Sequence, residues 1–176
     1  SLIEYLKAAS PEFINFRYKS MGILTNKIEE YGKSPKYIME FNFCIGFFLR
    51  QHIQSLPDED TYILIDYDID RISNLKKDLE TNYKHKQFIF LCCDIDEIPI
   101  ANSSIDIIID YWMTKDYGQS DNKFLLDIVL PLLKHNGLLA GVYPYIRPNS
   151  KGYNNMPLEL KDYFNKEKIL KKIEDL

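Results

Sequence analysis

Five short apolar runs between residues 37 and 143 constrain the fold of this chain more than any other feature. They are Tyr37 to Phe41, Tyr62 to Ile65, Phe88 to Cys93, Ile105 to Ile109 and Leu138 to Tyr143. The second, third and fourth runs are each followed directly by an aspartate. Strands without polar alternation are typical of parallel sheets that are covered on both faces. The pattern therefore predicts a three-layer, doubly wound, mostly parallel α/β sheet of at least five strands.

Between these runs, apolar residues recur every three to four positions, which predicts helices. The three stripes are Ile45, Leu49, Ile53 and Leu56; Ile72, Leu75 and Leu79; and Phe124, Leu125, Ile128, Val129, Leu132 and Leu133. We expect Asp68 to cap the start of the second helix. We expect Pro131 to kink the third, and Gly137 to end it in a left-handed conformation.

The chain reads as a single domain of 176 residues, with 45% hydrophobic and 27% charged residues. Residues 1–36 are predicted to form a helical cover with a break at Ser10-Pro11, and residues 37–146 the α/β core. Residues 147–176 are predicted to be a loop, from Asn149 to Met156, and then a charged helix from about Leu158 to Leu176.

Charge and hydropathy exclude two classes of partner. The formal charge of −4 provides no basic field, so we expect no nucleic-acid binding by this segment. No apolar stretch reaches the roughly 18 to 20 residues that span a bilayer, and the start does not resemble a signal peptide. These observations predict a chain that does not contact membranes and lies in the cytoplasm.

The cysteines and histidines show no metal-binding pattern. Cys44, Cys92 and Cys93 lack the spacing of a zinc site and are predicted to be reduced core residues. None of the three histidines has a second ligand at the usual spacing. We expect no metal.

The acids and turns at the strand ends follow a recognisable order. Glu40 precedes a turn that closes at Gly46, Asp66 follows the second run, Asp94 the third and Asp110 the fourth. Over residues 37–146 this order resembles that of class I S-adenosylmethionine-dependent methyltransferases, which are Rossmann-like. The resemblance implies S-adenosylmethionine as cofactor. It implies a cofactor-binding set made of Glu40, Asn42, Gly46, Asp66, Asp94, Ile95 and Asp110.

Within that set the resemblance gives each acid its own role. Asp66 would accept the two ribose hydroxyls, and Asp94 with Ile95 would lie beside the adenine. The residues alone leave alternatives open, because Asp66 could instead cap the next helix and Asp94 could start a turn. Trp112, after the fourth strand, could line the substrate site or belong to the core.

Two features depart from the family pattern. Asn42 and Cys44 stand where the family has glycines, which keep the backbone close to the methionine part of the cofactor. The sequence also ends at Leu176, where the family's last antiparallel strand pair would begin. We therefore expect a sheet without that pair, whose exposed edge is covered by a partner domain or by a second copy of the chain.

Two functional hypotheses follow. In the first, the chain is a methyltransferase-like domain that acts on an unknown small acceptor, with no catalytic residue assigned. In the second, it is a non-catalytic, degenerate methyltransferase fold that senses a ligand or mediates an interaction, as part of a larger regulator. A nucleotide-binding oxidoreductase is disfavoured, because no strand-to-helix turn carries a GxGxxG fingerprint.

Overall fold

The computed structural model describes residues 11–41, 47–94, 97–111, 128–142 and 148–155, together with residues 158, 161, 167, 170 and 171. The strands are β1 (Tyr37–Phe41), β2 (Thr61–Asp66), β3 (Gln87–Cys92), β4 (Ile105–Tyr111) and β5 (Leu133–Val142). The helices are α1 (Pro11–Tyr31), α2 (Phe47–His52), α3 (Ile69–Asn82) and α4 (Lys151–Asn154), with a 3-10 turn at Leu130–Leu132.

The five strands form one sheet in the order β3-β2-β1-β4-β5, and every neighbouring pair is parallel. This sheet, with its flanking helices, confirms the predicted fold class. The chain order reverses at β1, which lies between β2 and β4. In open α/β sheets the crevice at such a switch point, beyond the carboxyl ends of the strands, is where ligands bind.

Each face of the sheet has its own hydrophobic core. Ile38, Leu64 and Ile107 belong to the core that α1, α2 and α3 cover. Met39, on the opposite face, packs in a second core with Val129 and other residues. Successive side chains of a strand point to opposite faces, so these two sets fix where each acid of the strands points.

The helix α1 packs on the first of these faces through Met21, Leu24 and Ile28, which are all buried. It ends at Tyr31 and is followed by Gly32, whose φ of 64° is the left-handed conformation that glycine adopts without strain. The predicted break at Ser10-Pro11 lies at the limit of the described residues, since α1 begins at Pro11 and residues 1–10 are outside them.

The strand β3 differs from the prediction of a strand buried on both faces. It is an edge strand that pairs only with β2 within the described sheet. Each of its side chains is either exposed or only partly buried, and Ile89 is 41% exposed. The prediction that the cysteines lie in the core is wrong for Cys92, which is exposed, whereas Cys93 is partly buried and Cys44 lies outside the described residues.

The region before β5 also differs from the prediction. The helical spacing that continues to Leu133 gives way to a 3-10 turn around Pro131, and β5 already begins at Leu133. The left-handed residue is Asn136, with a φ of 61°, and not Gly137. Gly137 is required for space instead, because an added Cβ would lie 2.9 Å from the Lys134 carbonyl oxygen.

The loop predicted from Asn149 to Met156 contains a short helix, α4, which begins after Ser150. The Ser150 hydroxyl accepts a hydrogen bond from the Tyr153 amide at 3.2 Å and so caps the helix. In the predicted C-terminal helix, the five described positions are helical. Among the described helices, none combines the length and the apolar character needed to cross a membrane.

Candidate functional site

The parallel register brings three acids to the carboxyl edge of the sheet. Glu40 of β1 pairs with Leu64 of β2 on one side and with Ile109 of β4 on the other. Asp66 lies two residues after Leu64, and Asp110 lies one residue after Ile109. Since adjacent strands lie about 4.8 Å apart, these predicted site residues are brought together on three neighbouring strands.

The three acids do not all point to the same side. Glu40 alternates with Ile38, and Asp66 with Leu64, so both point towards the face covered by α1, α2 and α3. Asp110 alternates with Ile108 and points to the opposite face. The switch point therefore presents two buried acids to one face and one buried acid to the other.

Burial strongly perturbs Glu40. Its side chain is buried, and its Oε2 atom has no hydrogen-bond partner among the described residues. Burial raises the pKa of Glu40 from its ordinary 4.5 to about 8, so the carboxyl group carries a proton at pH 7. A buried oxygen without a partner costs stability, which is consistent with a place kept for a ligand or an ordered water.

Tyr62 lies two positions before Leu64 on β2 and points to the same face as Glu40. Its hydroxyl group is buried and has no hydrogen-bond partner among the described residues. Burial, together with the charge that Glu40 carries when ionised, raises the pKa of Tyr62. Glu40 and Tyr62 therefore form a buried, uncharged polar pair on that face of the sheet at neutral pH.

Asp66 is fully buried, and its two carboxylate oxygens differ in their contacts. Oδ1 accepts a hydrogen bond from the Asp68 amide at 2.9 Å, whereas Oδ2 lies 3.3 Å from Nη1 of Arg71. Burial raises the pKa of Asp66, and the Asp68 amide and the Arg71 charge partly oppose that rise.

The alternative role considered for Asp66, capping the next helix, belongs to Asp68. Its Oδ1 atom accepts hydrogen bonds from the amides of Asp70 at 3.0 Å and Arg71 at 3.2 Å. The prediction that Asp68 is the N-cap of α3 is thus confirmed. Asp66 instead fixes the turn between β2 and α3 through one oxygen.

Arg71 was not among the site residues predicted from the sequence. Its Nε atom donates a hydrogen bond to Oδ2 of Asp68 at 3.0 Å, and its guanidinium group lies 4.9 Å from the centre of the Tyr67 ring. The three-residue spacing between Asp68 and Arg71 in the first turn of a helix is the feature that could have indicated this ion pair. The second contact of Arg71, with Asp66, depends on the conformation of the turn between β2 and α3.

The remaining predicted residues lie apart or outside the described ranges. Asp94 is exposed, and its carbonyl oxygen accepts a hydrogen bond from the Glu97 amide at 3.0 Å, as the turn alternative requires. Its contact with adenine stays a prediction. Asn42, Gly46 and Ile95 lie outside the described residues, as do Cys44, Trp112 and residues 143–145.

No group of three or more metal-binding side chains comes together within the described ranges. His52, at the end of α2, is buried and stacks on Phe48 with 5.7 Å between the ring centres. Burial and the charge of Lys36 lower the pKa of His52 to about 4, so it is neutral at pH 7. A neutral histidine packed in this way is part of the core.

Similar proteins are found by comparing structures and not by comparing sequences. No protein-family model and no curated protein matches the sequence. A methyltransferase from Aquifex aeolicus described as SAM-dependent is similar over 86% of this chain and 77% of its own, with 14% identity and a TM-score of 0.60. The CurJ carbon methyltransferase is similar over 89% of this chain, with 17% identity and a TM-score of 0.65. The DszA carbon methyltransferase is similar over 78% of this chain, with 16% identity and a TM-score of 0.59.

The fold is that of the class I S-adenosylmethionine-dependent methyltransferases. The resemblance found in the sequence is confirmed at this level. The chain spans 46% of the length of the CurJ enzyme and 38% of that of DszA. Glu40 and Asp66 lie at the carboxyl ends of β1 and β2, beside the point where the strand order reverses.

Proposed function

We propose that this chain is a methyltransferase-like domain that binds S-adenosylmethionine and transfers its methyl group to a small acceptor. One observation carries the proposal: Glu40 and Asp66 are buried on neighbouring strands at the switch point and point to the same face. Each has one oxygen atom without a hydrogen bond from the described residues. The three similar structures, whose names describe methyltransferases, support it through the fold.

The chemistry of the two acids suits different parts of such a ligand. The carboxylate of Asp66 can accept hydrogen bonds from two adjacent hydroxyl groups, as a ribose diol presents them. Glu40 is protonated before binding, and a cationic group such as an ammonium would favour its ionised form. Binding of a cation beside Glu40 is therefore expected to release a proton.

When bound, S-adenosylmethionine supplies an electrophilic methyl group on a positively charged sulfur. Transfer to an oxygen, nitrogen or carbon atom depends mainly on holding the nucleophile in line with that methyl group. The chain contributes to this by fixing the ligand through Asp66 and Glu40. Asp110, which points to the other face, remains a proposed contact.

A second candidate function is a ligand-sensing domain without catalysis. It is favoured by Asn42 and Cys44, which stand in the sequence where the family has glycines, because a side chain at either position would take space that the family leaves for the ligand. The two candidates share the same binding step and differ only in whether methyl transfer follows.

Isothermal titration calorimetry with S-adenosylhomocysteine and S-adenosylmethionine tests the shared step. We expect binding that Asp66→Asn weakens by about tenfold or more, because a charged hydrogen-bond acceptor is worth roughly 1.5 to 3 kcal/mol. Asp70→Asn is the matched control, since Asp70 is an exposed acid in the first turn of α3. No binding to either ligand at high protein concentration would contradict both candidates.

Methyl transfer separates the two candidates. Incubation with S-adenosylmethionine labelled in its methyl group, across a panel of small alcohols, amines and carbon acids, is expected to give a labelled product. Binding that Asp66→Asn abolishes, without any label transfer, would favour the sensing domain.

A further inference from the structure

The Asp66 side chain is completely buried. Its exposed fraction is 0%, although its place at the end of β2 faces the ligand crevice. A hydroxyl group that donates to a carboxylate must bring its oxygen within about 2.5 to 3.0 Å of it. In the conformation of the structure, no ligand hydroxyl can approach Asp66 that closely. A group that covers Asp66 must move first.

Arg71 occupies the position that a ligand hydroxyl needs. Its Nη1 atom lies 3.3 Å from Oδ2 of Asp66, the oxygen that has no hydrogen bond from the described residues. The other oxygen already accepts the Asp68 amide. A guanidinium group carries only donors, as a diol does towards a carboxylate, so the two would compete for the same acceptor.

Arg71 has two further contacts that do not depend on Asp66. Its Nε atom donates to Asp68, which its role as N-cap holds in place, and its guanidinium group stacks on Tyr67. The Arg71 side chain is 27% exposed and Tyr67 is 48% exposed, so both lie on the outer side of Asp66. A change in the torsions of the Arg71 side chain that moves Nη1 off Asp66 would uncover that carboxylate, and the guanidinium group would still reach Asp68 through another of its donors.

We propose that Arg71 is a specificity-determining residue that competes with the vicinal diol of a ligand for Asp66. This inference rests on the proposed function, because it assumes that Asp66 binds a ribose. Arg71 on Asp66 is the closed arrangement, and Arg71 withdrawn from Asp66 but still held by Asp68 and Tyr67 is the open one. The apparent affinity for a diol falls in proportion to the fraction of molecules that are open.

The test compares Arg71→Met with the intact chain by calorimetric titration. Methionine keeps an apolar stem against Tyr67 and removes the donors. We expect the affinity for S-adenosylhomocysteine and for adenosine to rise about tenfold, as for a site that is open in one molecule out of ten. The affinity for 2′,3′-dideoxyadenosine, which has no diol, is expected to stay unchanged, whereas a general loosening of the site would change all three.

Two further variants make the test specific. Lys76→Met is the matched control, because it removes a cation from the exposed part of the same helix and is expected to change none of the three affinities. Asp68→Asn keeps a capping oxygen for α3 but removes the charge that would hold Arg71 once it has left Asp66. It is expected to weaken binding of adenosine several-fold and to leave dideoxyadenosine unaffected.

The outcomes separate this inference from the proposed function. If the intact chain binds S-adenosylhomocysteine and Arg71→Met binds it equally or more weakly, the competition is refuted and the proposed function stands. If neither protein binds, both are refuted. If only Arg71→Met binds, both are supported, and the intact chain is closed under the conditions used.

Discussion

Buried acids at the amino ends of the parallel strands (the amino edge) differ in their hydrogen bonding from those at the carboxyl ends (the carboxyl edge). At the amino edge, Asp60 forms a buried ion pair with Lys36 and also accepts hydrogen bonds from the Lys36 amide at 3.1 Å and the Ser34 hydroxyl at 2.9 Å. At the carboxyl edge, Glu40 is equally buried, but its Oε2 atom has no partner among the described residues. The same sheet thus satisfies one buried acid fully and leaves another partly unsatisfied.

This difference separates acids that support the fold from acids that are available to a ligand. Asp106, also at the amino edge, accepts hydrogen bonds from the Tyr37 amide at 2.9 Å and from Lys134 at 2.8 Å. At the carboxyl edge, burial raises the pKa of both Glu40 and Asp66. Removing an acid is therefore expected to cost stability at the amino edge, whereas removing Glu40 at the carboxyl edge is expected to remove the cost of burying an unsatisfied carboxyl group.

The largest expected effect comes from Asp60→Ala. It leaves the ammonium group of Lys36 buried without its counter-charge, which typically costs about 3 to 5 kcal/mol. Urea denaturation followed by circular dichroism measures the change in the free energy of unfolding. The double variant Lys36→Met/Asp60→Leu is the control, and we expect it to regain much of the loss. A loss of less than about 1 kcal/mol for Asp60→Ala would remove the contrast between the edges.

Glu40→Gln is expected to act in the opposite direction and to depend on pH. The folded chain keeps Glu40 protonated up to a pKa of about 8, whereas the unfolded chain ionises it near 4.5. The stability that this group contributes is therefore present below pH 4.5 and is lost as the pH rises to about 8. Relative to the intact chain, Glu40→Gln should be near neutral at pH 4.5 and stabilising at pH 8.5 by an amount on the order of 4 to 5 kcal/mol.

The measurement for Glu40→Gln is the urea denaturation midpoint at four pH values from 4.5 to 8.5. Glu29→Gln is the matched control, because Glu29 is exposed on α1 and should show no such trend. A difference between Glu40→Gln and the intact chain that does not vary with pH would mean that Glu40 is ionised in the folded chain.

The smallest effect is expected for Asp106→Asn. Asparagine keeps an oxygen acceptor for the Tyr37 amide and removes only the charge facing Lys134, whose side chain is 39% exposed. A partly exposed ion pair of this kind is worth about 1 kcal/mol or less. The same denaturation experiment at low salt and in about 1 M sodium chloride, where the screening length is about 3 Å, should show the loss shrinking with salt. An unchanged loss would assign the cost to the hydrogen bond with Tyr37.

The sequence was sufficient to predict a strand and its burial where the local pattern of residues agrees with the strand's position in the sheet. β1 and β2 are mostly apolar and lie in the interior of the sheet, so the pattern that predicts a buried strand also describes their environment. β3 is an equally apolar run, but strand order places it at an edge, and no local pattern encodes that order. The start of β5 was missed because Leu132 and Leu133 continue a helical spacing that the chain abandons after Pro131.

The candidate site was predictable in the same limited sense. The place of Asp66 after a buried strand was evident from the sequence, because strand ends and acids can be read locally. The contact with Arg71 was not, because it crosses the β2–α3 turn and depends on how Asp68 caps the helix. The burial of Glu40 likewise comes from the strands on both sides of β1, which lie far from it in sequence.

The position of β1 between β2 and β4 has a consequence for the order in which the protein is made. β1 can pair with β2 once residue 66 has been synthesised, but its other neighbour begins only at residue 105. On the ribosome, at about 5 to 20 residues per second, this delay lasts roughly 2 to 9 seconds. During that interval the strand that carries Glu40 is an open edge, so the central strand of the finished sheet is the one that a nascent chain leaves exposed.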